Sequence, residues 1–234
     1  MASAGQNAML YAGENVLISA LADNSNSNSS SWGLSLGFTP EGFTFGMNAS
    51  ASSGSSTVYS NAAVTAGGDL DVISGLDTVL TGANLQANNI YMDVGQDLIV
   101  ASRQNTSSSE SSGFNFSISF GPGGVPTSAS IGASMSDANR IYADTLTSIV
   151  ANDRLSIYTG RNTFLLGSAV YSKVGNLELD TGSLIFENYQ DRDQSVSIGV
   201  NVSLAFQDSL LARDQSDASG SIANRDVQAV TYAT

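Results

Sequence analysis

Along this chain, apolar positions recur at steps of two, in short runs separated by Gly, Asn, Ser and Asp. Thr65-Ala-Gly-Gly-Asp-Leu-Asp-Val72 is followed by Leu80-Thr-Gly-Ala-Asn-Leu85 and then by Ile90-Tyr-Met-Asp-Val-Gly-Gln-Asp-Leu-Ile-Val100. Period two is the period of a strand with one face inward. No sustained run has the i, i+3, i+4, i+7 spacing of a helix. The pattern restarts about every 20 residues, within the range of stacking repeats. Gly and Asn at the breaks are expected to turn the chain through positive φ.

A second pattern interrupts the first. Ser/Asn-rich runs, 24–31 and 105–112, lead into strictly alternating segments. Phe114-Asn-Phe-Ser-Ile-Ser-Phe120 and Ser128-Ala-Ser-Ile-Gly-Ala-Ser-Met135 flank a corner at Gly121-Pro-Gly-Gly-Val-Pro126. This predicts a β-hairpin over 114–135, with one apolar face and one Ser/Asn face. Trp32 to Ala51, turning at Pro40-Glu41-Gly42, predicts another over 32–51. Val196 to Phe206 with a less regular return predicts a third over 196–212.

The chain repeats itself at long range. Ala12 to Ile18 matches Val94 to Val100 at an offset of 82 (94 − 12). At that offset Trp32, Leu34, Leu36 and Phe38 fall on Phe114, Phe116, Ile118 and Phe120. Val64, Leu70 and Val72 fall on Ile149, Leu155 and Ile157 at an offset of 85 (149 − 64). Phe114 to Phe120 recurs at Val200, Val202, Leu204 and Phe206, an offset of 86 (200 − 114). The chain therefore reads as about two and a half copies of one long unit within a single domain, 1–234.

These features predict an all-β fold, a right-handed parallel β-helix (a solenoid) with β-hairpin extensions. One coil cannot bury its apolar face alone, so coils must stack. The expected core is Leu70, Val72, Val79, Leu85, Ile90, Met92, Leu98 and Val100. Asn and Asp at the corners would form ladders from coil to coil and fix the register. A transmembrane barrel shares the alternation. Three hairpins supply six strands, fewer than the eight of the smallest single-chain bacterial barrels, and Trp32 is the sole Trp.

Composition narrows the chemistry. The 234 residues carry 8 Lys+Arg against 21 Asp+Glu, a net charge of −13, with no His and no Cys. Imidazole-dependent hydrolysis, thiol chemistry, disulfides and Cys/His metal sites are excluded. The acidic balance argues against a nucleic-acid partner, which needs clustered cations. Met1 to Leu10 has neither a basic n-region nor an apolar h-region, so an exported parent is expected to be longer than this chain.

The residues also resemble a known family. Val64-Thr-Ala-Gly-Gly-Asp-Leu-Asp-Val-Ile-Ser-Gly-Leu-Asp-Thr-Val-Leu-Thr-Gly-Ala-Asn-Leu85 and Val94-Gly-Gln-Asp-Leu-Ile-Val100 are similar to the haemagglutinin repeat of filamentous haemagglutinins. The Ser run, the alternating Phe/Ile strand and the Gly-Pro-Gly-Gly corner resemble the distal repeats of those exoproteins. That region also occurs in the toxin-carrying proteins of contact-dependent growth inhibition. The resemblance implies a secreted or cell-surface filament, a parent exported through an outer-membrane two-partner transporter, and a role in carrying an effector to target cells. The chain lacks the secretion domain and the toxin of such a parent, and no enzymatic activity or cofactor is expected of it.

Several residues invite chemical readings. Asp69, Asp71, Asp77, Asp93 and Asp97 near strand ends could form a Ca²⁺ ladder, but the Gly-Gly-x-Gly-x-Asp pattern is absent. Asp191-Arg192-Asp193 resembles a carboxylate pair of a polysaccharide-processing β-helix, without the converging basic groups such a site requires. Gly121 to Gly124 lacks the Lys and the helix of a phosphate loop. The remaining candidate is the set of hairpin faces: Trp32, Leu34 and Phe38; Phe114, Phe116 and Phe120; Val200, Val202 and Leu204. They are expected to pack on the shaft, since free two-stranded hairpins are barely stable. Left exposed, they would contact lipid in a target outer membrane, a partner on the cell surface or a neighbouring filament. Unpaired end coils would favour end-to-end self-association.

Overall fold

The computed structural model of the chain describes residues 1–206 and the backbone of one further strand, Ser216–Thr231. The return of the third predicted hairpin, 207–212, lies outside the described residues. The architecture is all-β, a parallel β-helix flanked by one antiparallel sheet.

Each coil of the shaft is built from three strand segments. The first coil is β1 (Ala2–Ala4), β2 (Ala8–Ala12) and β3 (Val16–Ser19). The second is β6 (Ala62–Ala66), β7 (Asp69–Ser74) and β8 (Thr78–Thr81). In the third, β9 (Ala83–Val94) spans two segments and β10 (Leu98–Ala101) forms the last. The fourth is β13 (Ser148–Thr159) and β14 (Asn162–Leu166). The fifth is β15 (Ala169–Ser172), β16 (Asn176–Asp180) and β17 (Ser183–Glu187). Equivalent segments pair in parallel, as in the five-stranded sheet β17-β14-β10-β8-β3.

The core follows from the alternation. Val64, Leu85, Ile149 and Val170 form one inward column, paired in register. Leu10, Val72, Met92 and Ile157 form another. Leu70, Leu85, Ile90, Met92, Leu98, Ile149 and Leu155 are fully buried, whereas Leu10, Ile18 and Leu179 of the end coils are only partly covered. Burial thus depends on having a coil on each side, as stacking requires. Val79 departs from the expected core. Thr78 and Leu80 point inward instead, and Thr78 Oγ1 hydrogen-bonds Ser74 Oγ at 2.9 Å across the corner. Val79 therefore lies in the outward column Leu17, Val79, Ile99, Phe164, Ile185.

Two side-chain ladders hold the corners. Asn7 Oδ1 accepts the Asp69 N–H at 2.9 Å, and Asn89 Nδ2 donates to Asp69 Oδ1 at 2.8 Å. On the next corner Asn15 Oδ1 accepts from Asp77 N, Asp77 Oδ1 from Asp97 N, and Asp97 Oδ1 from Asn162 N, at 2.9, 3.1 and 3.0 Å. Each coil's side chain satisfies a corner N–H one coil away, where the sheet ladder is interrupted.

The corner glycines divide into two sets: Gly82 and Gly167 have the expected positive φ, 65° and 54°, whereas those of another corner have a different cause. Gly13, Gly75, Gly95 and Gly160 stack at one corner, and none of them has positive φ. A Cβ on Gly75, Gly95 or Gly160 would collide with the carbonyl oxygen of the glycine one coil before it. Close backbone approach, not left-handed geometry, demands Gly there.

Between coils the chain leaves the shaft as long hairpins. These are β4 (Leu21–Thr39) with β5 (Gly42–Ser60), β11 (Asn105–Phe120) with β12 (Pro126–Tyr142), and β18 (Tyr189–Ala205) with β19 (Ser216–Thr231). The pairing takes in the Ser/Asn runs, so the hairpins extend beyond their predicted bounds. The hairpins also pair with one another, giving the six-stranded antiparallel order β19-β18-β12-β11-β5-β4. β4 leaves the first coil and β5 returns to the second; β11 leaves the third and β12 returns to the fourth; β18 leaves the fifth. One side strand therefore stands at the level of each coil.

Two pairs of substitutions test this packing. Leu85→Ala should lower unfolding free energy in urea by about 2–5 kcal/mol, the usual cost of a core truncation, whereas Leu17→Ala on the exposed face should change it by less than about 0.5 kcal/mol. Gly95→Ala should cost about 1–3 kcal/mol through overpacking. Gly13→Ala, whose added methyl group would meet nothing within 4 Å, should be neutral in the same assay.

Candidate interaction surface

Alternation in the side sheet sends successive side chains to opposite faces, and the register aligns them across strands. One row runs Trp32, Ala49, Phe114, Ala133, Val200. The next runs Leu34, Met47, Phe116, Ile131, Val202, followed by Leu36, Phe45, Ile118, Ala129, Leu204. Phe38, Phe43 and Phe120 close the tip. There the Phe43 and Phe120 rings stack at 4.5 Å, and Phe38 tilts against Phe43 at 6.5 Å. All nine residues singled out in the sequence thus share one face of one sheet.

That face does not pack on the shaft. Trp32 and Phe38 are each 78% exposed, Leu34 59% and Val200 51%. Phe114 and Leu204 are exposed as well, while Phe116, Phe120 and Val202 are half-buried by their neighbours in the sheet. The buried core is made of coil residues. The expectation of shaft packing fails because each hairpin is stabilised edge-on by the next hairpin. None stands as an isolated two-stranded ribbon that must find cover.

Sequence reasoning passed over other members of the face. Met47, Ile131, Met135 and Ile198 are exposed there too. In the arms of Met47, Ile131 and Met135, Ala shares the apolar side, which weakens the pattern in any one strand; Ile198 continues the all-aliphatic side of β18. Only the cross-strand register completes it.

The face is divided along its length. Toward the shaft it is polar on β4, β5, β11 and β12, with Asn28, Ser53, Glu110 and Asp137 in one row that ends on Val196 of β18. Glu110 and Asp137 stand directly opposite each other and line a shallow groove of about 480 Å³ with Ser52, Ser112 and Met135. From the row of Trp32 and Phe114 to the tip at Phe38 the face is apolar over six residue steps (38 − 32), or about 20 Å at ~3.4 Å per residue, and along β18 alone it runs from Ile198 to Phe206, the residue after the strand, or about 27 Å. The reverse face is small and polar. Ser31–Ser50, Ser117–Ser130 and Thr44–Ser119 hydroxyl pairs cross it at 2.8, 2.7 and 3.0 Å. Gly33 lies under Asn48 and Gly113 under Ser134, where an added Cβ would displace the end of that side chain.

The hairpins are tied at their roots by equivalent residues. Asn105 Oδ1 accepts the Tyr59 N–H at 2.7 Å, and Asp191 Oδ1 accepts the Ala143 N–H at 2.9 Å. Asp191 also receives Gln104 Nε2 at 3.3 Å, so the carboxylate of the Asp191-Arg192-Asp193 run secures a hairpin base. Next to it the Tyr189 hydroxyl is pushed above its usual pKa by burial, with Arg103 opposing the shift and Glu187 adding to it. The carboxylates of Asp69, Asp77 and Asp97 are likewise engaged by N–H donors of neighbouring coils. No group of three or more His, Cys, Asp or Glu among the described residues is arranged to hold a metal ion.

A family profile described as Hemagglutinin repeat matches residues 2–116 and 106–202. The chain is 31% identical over 202 residues to a protein named tRNA nuclease CdiA from Yersinia mollaretii, covering 77% of this chain and 7% of that protein. It is 34% identical over 163 residues to a tRNA nuclease CdiA from Escherichia coli O6:K15:H31, covering 65% and 5%. A deoxyribonuclease CdiA from Dickeya dadantii is 29% identical over 207 residues, covering 79% and 6%. The chain spans less than a tenth of the length of these relatives. No solved structure matches it. The repeats, the coil-and-hairpin architecture and these matches agree: the chain belongs to the haemagglutinin-repeat family of filamentous-haemagglutinin and contact-dependent-inhibition exoproteins.

Proposed function

We infer that this segment is a non-catalytic part of a toxin-delivery exoprotein, and that it engages the outer membrane of a target cell through the apolar face of its side sheet. The observation that carries the reading is the exposure of that face. A contiguous set of large apolar side chains, Trp32 to Phe38 at one edge and Val200 to Leu204 toward the other, is a surface that water disfavours. The shaft supplies distance and rigidity. The side sheet supplies contact. The names of the relatives make a nuclease the class of effector that a parent of this segment would carry, with its activity elsewhere in the parent.

A more specific version of this reading has a supporting observation of its own. The apolar band is about 20 Å tall across the sheet and about 27 Å on β18, comparable to the ~25 Å lipid-facing band of outer-membrane barrels, and its reverse face is small and polar like a barrel lumen. Adding side strands from further repeats would let such a sheet line a conduit.

Flotation with bacterial outer-membrane vesicles at physiological salt tests the reading. The intact chain should float and resist a high-salt wash. Combined Trp32→Ser, Leu34→Ser and Phe38→Ser should lower partitioning by more than about tenfold, since burying one large apolar side chain is worth about 1.5–3 kcal/mol and 1.4 kcal/mol is tenfold. Ser31→Ala with Ser35→Ala on the reverse face should leave it unchanged. Retention of the intact chain in the dense fraction would overturn the proposal and leave a passive stalk.

A further inference from the structure

The apolar face of the side sheet is corrugated. In the row of Trp32, the outgoing strands β4, β11 and β18 carry Trp32, Phe114 and Val200, while the returning strands β5 and β12 carry Ala49 and Ala133. In the next row toward the shaft, Ala51 keeps the floor of β5 low between Ser30 and Ser112, whereas Met135 fills β12. Of the two furrows, the one over β5 is therefore open toward the shaft. It forms a groove of about 480 Å³, walled by Trp32 and Phe114 and floored by Ala49 and Ala51. Toward the tip the next side chain of that face on β5 is Met47, which closes the floor.

The furrow has a polar mouth. It shares Ala51 and Ser112 with the groove that Glu110 and Asp137 line, so the two grooves are continuous. From that row to the tip, Glu110 and Asp137 are the only charged residues of this face on β4, β5, β11, β12 and β18. Trp32 and Phe114 stand two strands apart, about 9.6 Å at ~4.8 Å per strand. Between their rings this leaves a slot about as wide as one hydrocarbon chain. Trp32 also marks the boundary of the apolar band, the place that Trp takes at a membrane interface. Ser30 and Ser112 flank the mouth, and the carboxylates lie one step further along the same face, two residues or about 7 Å away. A phosphate held at the hydroxyls would bring an ethanolamine ammonium to the carboxylates.

We propose that the β5 furrow binds one acyl chain of a phospholipid whose headgroup carries an ammonium and no net negative charge, with its glycerol end at Ser30 and Ser112 and its ammonium at Glu110 and Asp137. This deepens the membrane reading of the same face and rests on it. The chain lies on Ala49 and Ala51 between the rings of Trp32 and Phe114, and Met47 turns it out into the bilayer. The apolar area makes the sheet partition, and the furrow with its rim decides which lipid it meets. A net-anionic headgroup at this mouth would face two like charges.

Flotation of the full chain on three kinds of vesicle tests this: phosphatidylcholine alone, and phosphatidylcholine mixed with either phosphatidylethanolamine or phosphatidylglycerol of the same acyl chains. If the chain floats on none of them, the membrane reading falls and this proposal with it. Where it floats, binding should be at least about threefold tighter with phosphatidylethanolamine than with phosphatidylglycerol. Glu110→Gln with Asp137→Asn should remove that preference and leave flotation on phosphatidylcholine intact. Trp32 is the only Trp, so its emission reports the furrow. Phosphatidylethanolamine brominated near the glycerol end should quench it more than the same lipid brominated at the methyl end. Ala49→Leu fills the furrow without removing apolar area, so it should keep flotation and abolish that difference in quenching. Equal binding to the two headgroups, a preference that survives the double substitution, or quenching unchanged by Ala49→Leu would overturn the proposal. So would a dimer in lipid-free solution that Ala49→Leu dissociates, because a second copy would then fill the furrow.

Discussion

The structure depends on one constraint: each coil of the shaft must be matched by one strand of the side sheet. Both are built from strands, and strands lie about 4.8 Å apart in either kind of ladder. A hairpin is two strands wide. Two coils are two levels tall. Only a unit with two coils and one hairpin lets the parallel shaft and the antiparallel sheet grow together without a gap or a clash. This explains the long sequence offsets. Val16 and Leu98, Val64 and Ile149, Trp32 and Phe114, and Phe114 and Val200 are each two levels apart, whether they lie in the shaft or in the side sheet.

The two ladders divide the energetic work. The shaft buries aliphatic columns and satisfies its corners with Asn and Asp. Its middle coils are dry and its end coils are partly open. Among the described residues the side sheet has no second layer. It is held by its backbone ladder, by hydroxyl pairs across the Ser/Asn face, and by Asn105 and Asp191 at the hairpin roots. Because no layer of described residues covers it, the apolar half of the other face is exposed. A large surface is thus displayed on a sheet whose position is fixed by the shaft.

Much of this was legible in the sequence. The period-two runs, the 20-residue restarts and the long repeat specify a stacked parallel fold, and the alternation of Trp32 to Phe38 places those residues on one face. Asn7, Asp69, Asn15 and Asp77 form the expected corner ladders. Other features were hidden because they arise between segments distant in sequence. That β5 pairs with β11 depends on the level at which each leaves the shaft, and no local pattern encodes it. The Ser/Asn runs fall outside the predicted hairpins because small polar residues have weak strand propensity, yet they are strands, paired on both sides in 106–112. Val79 looks like core until the corner bond of Thr78 to Ser74 fixes the opposite parity. Gly95 looks like a left-handed corner until the Gly75 carbonyl is found beneath it.

The matching of levels is tested most directly by comparing two deletions. Removing residues 62–82 takes out one coil and brings β5 and β11 to the same level. Removing residues 62–146 takes out two coils and a hairpin, and brings β5 next to β18 in phase. Amide hydrogen exchange along β5 is the readout. The account predicts that the longer deletion keeps the protection of β5 and the shorter one loses it. Equal protection in the two, or greater protection in the shorter deletion, would contradict it.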